Sequence, residues 1–336
     1  MPRKRLWVFA LTAMALAVPR LLPTEYSLRI ATMICLYAIL ALGLNLVTGI
    51  TGQLSLGHAA FYGVGAYVSA LLAIHQGWSF LPVMIVSGLV ACFFGVLLGA
   101  PTLRLSGDYL CIVTIGFAEI VRLVFQNWVQ VTRGPMGIPG IPPISLLGFT
   151  FRSSSHYYYF FLAVAVLAYI CISRILDSKV GRALVSIRED EVAASSMGIN
   201  TTYYKVVAFA VGALFAGIAG SLMAHYLSFI SPMNFTVDES LLILQMTILG
   251  GLGSNFGAVV GAAILVVAPE VLRVVSDYRM FFNGTLMVLL MILRPQGLFG
   301  TAGGAEVVRI RLRARRPAGP DAAPAGSGAG KGGGDL

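Results

Sequence analysis

Few residues of this chain could carry charge chemistry, and two of them lie inside an apolar stretch. Glu119 and Arg122 are three positions apart, so on a helix their side chains can face each other. Ionisable groups at membrane depth are costly and usually face a bundle interior or a wet pathway. We therefore predict either a gate or substrate-path element or an internal salt bridge. His58 is expected to be a satisfied interior histidine or, alternatively, a proton carrier or ligand.

Small and polar residues are dense in the segment 43–70, although its surroundings are apolar. Asn45, Gln53 and Ser55 lie there with His58, and glycines interrupt the apolar run. Non-helical backbone at membrane depth is tolerated only when it is buried in protein or lines a wet cavity, and transporters use such interruptions around their pathways. We predict a broken helix or a tight turn here, with these four residues as candidates for a translocation pathway. Close helix packing through small residues is a compatible explanation.

A charged segment, residues 174–205, interrupts the apolar sequence further along the chain. Its centre is predicted to form a short helical hairpin or a single helix closed by Gly198. A membrane protein with one such surface is expected to bind a partner there. The alternative is a solvated loop whose charges only set the orientation of the chain.

No catalytic or metal-binding motif accompanies these features. The four cysteines lie apart within apolar runs and lack metal-ligand spacing, which is typical of buried, inert thiols. Near the C-terminus, Gly330 and Lys331 resemble part of a phosphate-binding loop. However, Ala325 stands where that motif needs glycine, and Gly332 stands where it needs Ser or Thr. We predict no enzymatic activity and no cofactor for this chain.

The composition predicts an all-α polytopic membrane protein. Hydrophobic residues make up 57% of the chain and charged residues 11%, whereas about 25% of residues in soluble domains are charged. About 20 apolar residues are needed to cross a bilayer. We predict about ten transmembrane or partly re-entrant helices, near 6–22, 28–48, 54–74, 81–100, 109–129, 157–173, 204–224, 239–250, 255–274 and 279–293. The segment 239–250 is short and is predicted to be a half-helix or re-entrant segment.

Basic residues predict the orientation of these crossings. With the N-terminus in the cytoplasm, sixteen Lys and Arg residues lie in inner segments and six in outer segments. This bias follows the positive-inside rule, so both termini and the segment 174–205 are predicted to be cytoplasmic.

Three further regions complete the predicted organisation. Residues 1–300 form the transmembrane domain. Within it, the Pro- and Gly-containing segment 130–156 is expected to be a long external loop over the outer mouth. Residues 301–336 form a basic, Gly/Ala/Pro-rich tail, which is predicted to be disordered and cytoplasmic. Asp238 and Glu239 are expected at the outer surface, as solvated charges or as contacts for a soluble partner.

Eight blocks of the sequence carry a family resemblance. They are Gly43–Leu46, Gly52–Phe61, Leu105–Leu110, Ile112–Arg122, Gly134–Ile138, Ile187–Asn200, Gly250–Ser254 and Arg294–Gly300. Together they resemble the permease subunits of bacterial branched-chain amino acid ABC importers, and the LivM type rather than the LivH type. The similarity covers roughly residues 28–300. Ala118 departs from the glycine that this subfamily often has there, and the tail after Gly300 is unmatched.

The resemblance implies a multi-pass subunit of the bacterial inner membrane that carries branched-chain or related amino acids. It implies LivG- and LivF-like ATPase subunits that bind ATP, a LivH-like second permease and an extracytoplasmic substrate-binding protein. The chain is also expected to contact the lipid bilayer around it and to bind no nucleic acid. On this resemblance the segment 174–205 faces the ATPase. The candidate ATPase-coupling residues are Arg188, Glu189, Asp190, Glu191, Ala193 and Gly198.

A secondary transporter or channel driven by an ion gradient is the alternative function. Glu119, Arg122 and His58 would then carry the coupling charge. Since this sequence contains neither a Walker motif nor a large soluble domain, we favour a permease that separate subunits power. The resemblance leaves other amino acids and small carboxylates open as substrates.

Overall fold

The computed structural model describes residues 24–102, 107–146, 149–151, 153–271, 284 and 297–300. The predicted spans 6–22 and 279–293 and the predicted tail 301–336 lie outside these residues.

Helices make up most of the described chain. In chain order they are α1 (Glu25–Leu44), α2 (His58–Gln76), α3 (Phe80–Thr102), α4 (Asp108–Asn127), α5 (Val129–Thr132), α6 (Ser154–Asp177), α7 (Lys179–Glu189), α8 (Glu191–Ser196), α9 (Thr201–Leu227), α10 (Val237–Gly250) and α11 (Asn255–Val271). Among the described residues, six helices are long and apolar enough to cross a membrane: α1, α2, α3, α4, α6 and α9. Each coincides with a predicted span, which confirms the polytopic helical fold. In lipid, such runs are helical because every backbone polar group must be bonded within the segment.

The predicted interruption between the second and third spans is confirmed. Helix α1 continues into a π-helical turn, Asn45–Ile50, and the chain is then non-helical until α2 begins at His58. Single π-helical turns within α-helices are frequent at functional sites. We refer to residues 45–57 as the helix break. It is buried apart from Gly52 and the half-buried Leu54.

Helix α9 lies at the centre of the bundle and packs against α1, α2 and α3. Glycines allow this close approach. A Cβ atom at Gly65 of α2 would overlap the backbone of Gly217 on α9, and one at Gly43 of α1 would lie 3.0 Å from the Gly212 carbonyl oxygen. Small residues at such contacts let helix backbones meet in lipid. The core of the bundle is therefore held at fixed spacing next to the helix break.

Helices α10 and α11 form a shorter hairpin that packs against α1. Helix α10 has 14 residues, which agrees with the prediction of a half-helix. A Cβ at Gly257 would overlap the Gly250 backbone, and one at Gly261 would overlap the Met246 backbone. These glycines therefore pack α11 against α10 within the chain.

The segment 130–156 contains regular structure as well as loop. Strand β1 (Ile138–Pro139) pairs antiparallel with β4 (Phe229–Ile230), which follows α9. Strands β2 (Ser145–Leu146) and β3 (Phe149–Thr150) form a second antiparallel pair. A ring nitrogen of His225 lies 2.7 Å from the Pro142 carbonyl oxygen, which ties the segment to α9. Because α6 runs from this segment to the segment 174–205, the two lie at opposite ends of the bundle.

Candidate functional site

The charged segment forms two short helices, α7 and α8, with a sharp change of direction at Asp190. Ser178 caps the start of α7 by accepting from the Val180 N–H. Asp190 caps α8 in the same way, with its carboxylate 2.9 Å from the Ala193 nitrogen. Gly198, with φ of 81°, follows the end of α8, because the left-handed region costs glycine little. The predicted short helical segment closed by Gly198 is therefore confirmed.

One face of α7 packs onto the helix break. Leu184, which is fully buried, joins Leu46 and Ile50 of the π-helical turn and Ala208 of α9 in a small apolar cluster. Burial of aliphatic side chains is worth roughly 1.5–3 kcal/mol each. The charged segment is therefore an integral part of the bundle end and not a free loop.

Arg188 joins α7 to the helix break through a polar contact. Its guanidinium Nη1 donates to the carbonyl oxygen of Gly49 at 2.5 Å. Carbonyls in the last turn of a helix lack hydrogen-bond donors within that helix. The Arg188 guanidinium therefore supplies a donor to the Gly49 carbonyl at the end of the π-helical turn. Arg188, a predicted ATPase-coupling residue, thus has a guanidinium contact inside its own chain.

A buried amide network connects the helix break to the start of α11. Asn45 is fully buried. Its Nδ2 donates to Asn255 Oδ1 at 3.1 Å, and its Oδ1 accepts from the Gly253 N–H at 2.9 Å. Asn255 in turn donates to Ser173 Oγ of α6 at 3.3 Å. Two side-chain amides therefore hold the helix break, the start of α11 and α6 together at the end of the bundle that carries α7.

The acidic residues of the charged segment differ in their contacts. Asp190 is occupied as the cap of α8. Glu191 accepts from Lys205 Nζ at 2.5 Å, and the Lys205 side chain is only 4% exposed. The Glu189 side chain is exposed.

Two apolar side chains that sequence analysis did not single out project from α8 and its end. Val192 is 75% exposed and Met197 is 82% exposed. Ala193 and Gly198 are exposed beside them. The signal for these residues was present in the sequence, because both interrupt a run of polar and small residues. We refer to Glu189, Val192, Ala193, Met197 and Gly198 as the docking surface.

The remaining polar candidates of the helix break are buried. Ser55 Oγ accepts from the Gly57 N–H. Among the described residues, Gln53 Oε1, His58 Nε2 and the nearby Thr48 Oγ1 are buried without a hydrogen-bond partner. Such atoms are rare in folded proteins and call for a partner such as water or a ligand. They concentrate at the interruption that the sequence predicted.

Glu119 and Arg122 form the predicted ion pair on α4. The Arg122 Nε donates to both Glu119 carboxylate oxygens, at 3.0 and 3.1 Å, and its Nη1 donates to Gln126 Oε1 at 3.2 Å. The Glu119 side chain is 41% exposed, so the cluster lies at the surface of this chain. Among the described residues, it makes no hydrogen bond to Asn45, Gln53, Ser55 or His58. Helix α4 contacts the helix break at a different position, where the Leu56 N–H donates a hydrogen bond to Thr114 Oγ1.

The expectation for Glu239 was wrong. Asp238 is exposed as predicted, but Glu239 is half-buried and accepts a 2.8 Å hydrogen bond from the Tyr37 hydroxyl of α1. The two neighbours lie in the first turn of α10 and point in different directions. Tyr37 also lines the wall of a cavity of about 650 Å³ near the start of α1, which no predicted site residue lines.

Comparison with known proteins gives one consistent result. Residues 26–291 match the family described as "Branched-chain amino acid transport system / permease component". The high-affinity branched-chain amino acid transport system permease protein LivM of Salmonella typhimurium is 42% identical over 319 residues, which cover 88% of this chain and 75% of that protein. Its Escherichia coli counterpart is 40% identical over the same shares. The LivH permease of Escherichia coli is 25% identical over 283 residues, covering 79% of this chain and 91% of that protein. No solved structure matches the chain.

Proposed function

Because the chain belongs to the family of branched-chain amino acid transport permeases, we propose that it is the LivM-type membrane subunit of an ABC importer. In this role it translocates branched-chain or related amino acids across the bacterial inner membrane. Separate ATPase subunits power the transport, a LivH-like permease completes the membrane channel, and an extracytoplasmic binding protein delivers the substrate. The chain itself binds no ATP and performs no chemical reaction.

One observation carries this proposal: a solvent-facing docking surface lies directly over an interrupted membrane helix. Helix α7 packs on the helix break through Leu184 and Arg188, while α8 exposes Val192 and Met197 to solvent. Exposed apolar side chains rimmed by polar residues mark interaction sites, and methionine adapts to the shape of a partner. A transporter powered from outside its own chain needs such a surface next to its pathway.

The docking surface is the proposed ATPase contact. Glu189 offers an exposed carboxylate to basic groups of the ATPase, and Ala193 and Gly198 allow close contact with it. Asp190 and Glu191, which cap α8 and bond Lys205, also shape this surface. We assign this segment to the cytoplasm, an assignment that its basic residues support by the positive-inside rule.

The helix break and the Glu119–Arg122 pair are the proposed parts of the substrate path. Within the described part of the chain, Gln53 Oε1 and His58 Nε2 are buried without a hydrogen-bond partner, which supports a path where they meet water or substrate. A partly exposed ion pair on a membrane helix needs protein or water over it. We therefore assign the exposed face of α4 to the contact with the second permease, with the pair directed at the path between them.

Uptake by reconstituted proteoliposomes tests this function. The chain is co-expressed with the ATPases, second permease and binding protein encoded beside it, and uptake of labelled leucine is measured. The proposal expects uptake that requires ATP, the binding protein and all partners. Uptake by this chain alone, driven by a proton or sodium gradient and indifferent to ATP, would instead show a secondary transporter.

A further inference from the structure

We propose that Arg188 is the positioning residue through which movement of the docking surface reaches the helix break. This inference rests on the proposed function, since it takes the docking surface to be the ATPase contact. It assigns to Arg188 a role distinct from docking: the residue is exposed, but its guanidinium Nη1 donates to one defined atom of its own chain, the Gly49 carbonyl oxygen.

The first support is the atom that Arg188 holds. The Gly49 carbonyl belongs to the π-helical turn, between Asn45 and the non-helical residues that follow. A hydrogen bond from a charged donor is shorter and stronger than a neutral one. Along the chain, 139 residues separate Arg188 from Gly49, so this bond joins two independent elements. A displacement of α7 larger than the Arg188 side chain can absorb must therefore either move the π-helical turn or break this bond.

The second support is the slot in which the side chain lies. A Cβ atom at Gly52 would lie 3.0 Å from Arg188 Cγ, and a Cβ at Gly253 would lie 2.9 Å from Arg188 Nη1. Both glycines have positive φ, 76° and 85° respectively, which disfavours any other residue there. The passage for the arginine is thus bordered by the helix break and by the turn between α10 and α11.

The third support is what the slot connects. The Gly253 N–H that borders it donates to Asn45, and Asn45 bonds Asn255 at the start of α11. Arg188 is only one residue from Glu189 and four from Val192 of the docking surface. Coupling between distant sites travels through contiguous packed and bonded elements. Arg188 supplies the polar link between the docking surface and this network.

The complete complex in proteoliposomes provides the test. ATP hydrolysis and leucine uptake are measured in the same preparation, and their ratio is the readout. For Arg188→Gln we expect the ATPase subunits to remain bound and ATP hydrolysis to stay within about twofold of the parent. Uptake per ATP should fall at least about tenfold, because losing one interaction of ordinary strength changes an equilibrium by about that factor. Arg182→Gln is the matched control. Arg182 lies on the same helix and is exposed, and its Nη1 is 3.5 Å from the Asp177 carbonyl oxygen.

The other outcomes also decide the question. An unchanged uptake per ATP in Arg188→Gln, or an equal fall in the control, would overturn the inference. Loss of the ATPase subunits from Arg188→Gln would also overturn it, because Arg188 would then be a docking residue. Should Arg188→Gln not fold, Arg188→Met keeps a long side chain but removes the donor to the Gly49 carbonyl, and a parental uptake ratio in that variant would overturn the inference. Absence of ATP-driven uptake by the parental complex would instead refute the proposed function itself.

Discussion

Replacing Asn45 by alanine should loosen the end of the bundle that carries the docking surface. The Asn45 side chain is fully buried and satisfies two partners, the Gly253 N–H and Asn255 Oδ1. Each buried polar group left without a partner costs about 1–3 kcal/mol. Asn255 keeps the bond from its Nδ2 to Ser173, but its Oδ1 loses its donor and the Gly253 N–H loses its acceptor. With two groups left unpaired, Asn45→Ala should lower the free energy of unfolding by about 2–6 kcal/mol.

A double-mutant cycle separates the amide bond from general damage to the core. Unfolding in mixed micelles is followed for Asn45→Ala, Asn255→Ala and the double variant. Residues in one hydrogen-bond network couple by about 0.5–3 kcal/mol, so the double variant should lose less stability than the sum of the single losses. Asn127→Ala is the control. Its exposed side chain donates to the Leu123 carbonyl of its own helix, and the loss of stability should stay within about 0.5 kcal/mol. Equal losses for Asn45 and Asn127, or strict additivity in the cycle, would refute the network.

Two further predictions concern packing and charge. Gly65→Ala should reduce the yield of folded protein and its unfolding temperature, because the new methyl group overlaps the Gly217 backbone. Gly116→Ala is the control and should be tolerated, since among the described residues its methyl group meets no atom within 4 Å. Equal melting temperatures for the two variants would contradict the contact at Gly65. Glu191→Ala should destabilise the protein more than Lys205→Met in the same unfolding assay. Glu191→Ala leaves the buried Lys205 ammonium unpaired, whereas Lys205→Met leaves a Glu191 carboxylate that is already 42% exposed. A larger loss of stability in Lys205→Met would show that Lys205 is solvated without Glu191.

The membrane helices were predictable because their signal is local. An apolar run must bond its own backbone in lipid, and the run 157–173 marks the helix Ser154–Asp177 even though the ends of the helix are polar. The helix break was predictable for the same reason. Glycines and polar side chains clustered along 43–70 weaken a helix through local sequence alone, whatever the tertiary contacts of the segment.

The contacts of the site were not predictable, since they join residues far apart in the sequence. Nothing near Arg188 indicates that its guanidinium reaches Gly49. Likewise, nothing near Glu239 indicates that Tyr37 donates to it, which is why Glu239 was wrongly expected at the surface. The roles of Asp190 and Glu191 depend on a turn and on Lys205, so counting acidic residues could not separate them from Glu189. The assignment of Asn45, Gln53, Ser55 and His58 to a pathway stays a prediction.

Site-directed crosslinking tests most directly whether the docking surface binds the ATPase. In a variant without its four native cysteines, single cysteines are placed at Val192 and Met197, and the membranes of cells expressing all subunits are treated with a short bifunctional reagent. Met233→Cys is the control, since Met233 is 63% exposed and lies at the opposite end of the bundle, after β4. The account predicts adducts between the chain and an ATPase subunit from positions 192 and 197, and none from position 233. ATPase adducts from position 233, with none from the docking surface, would contradict it.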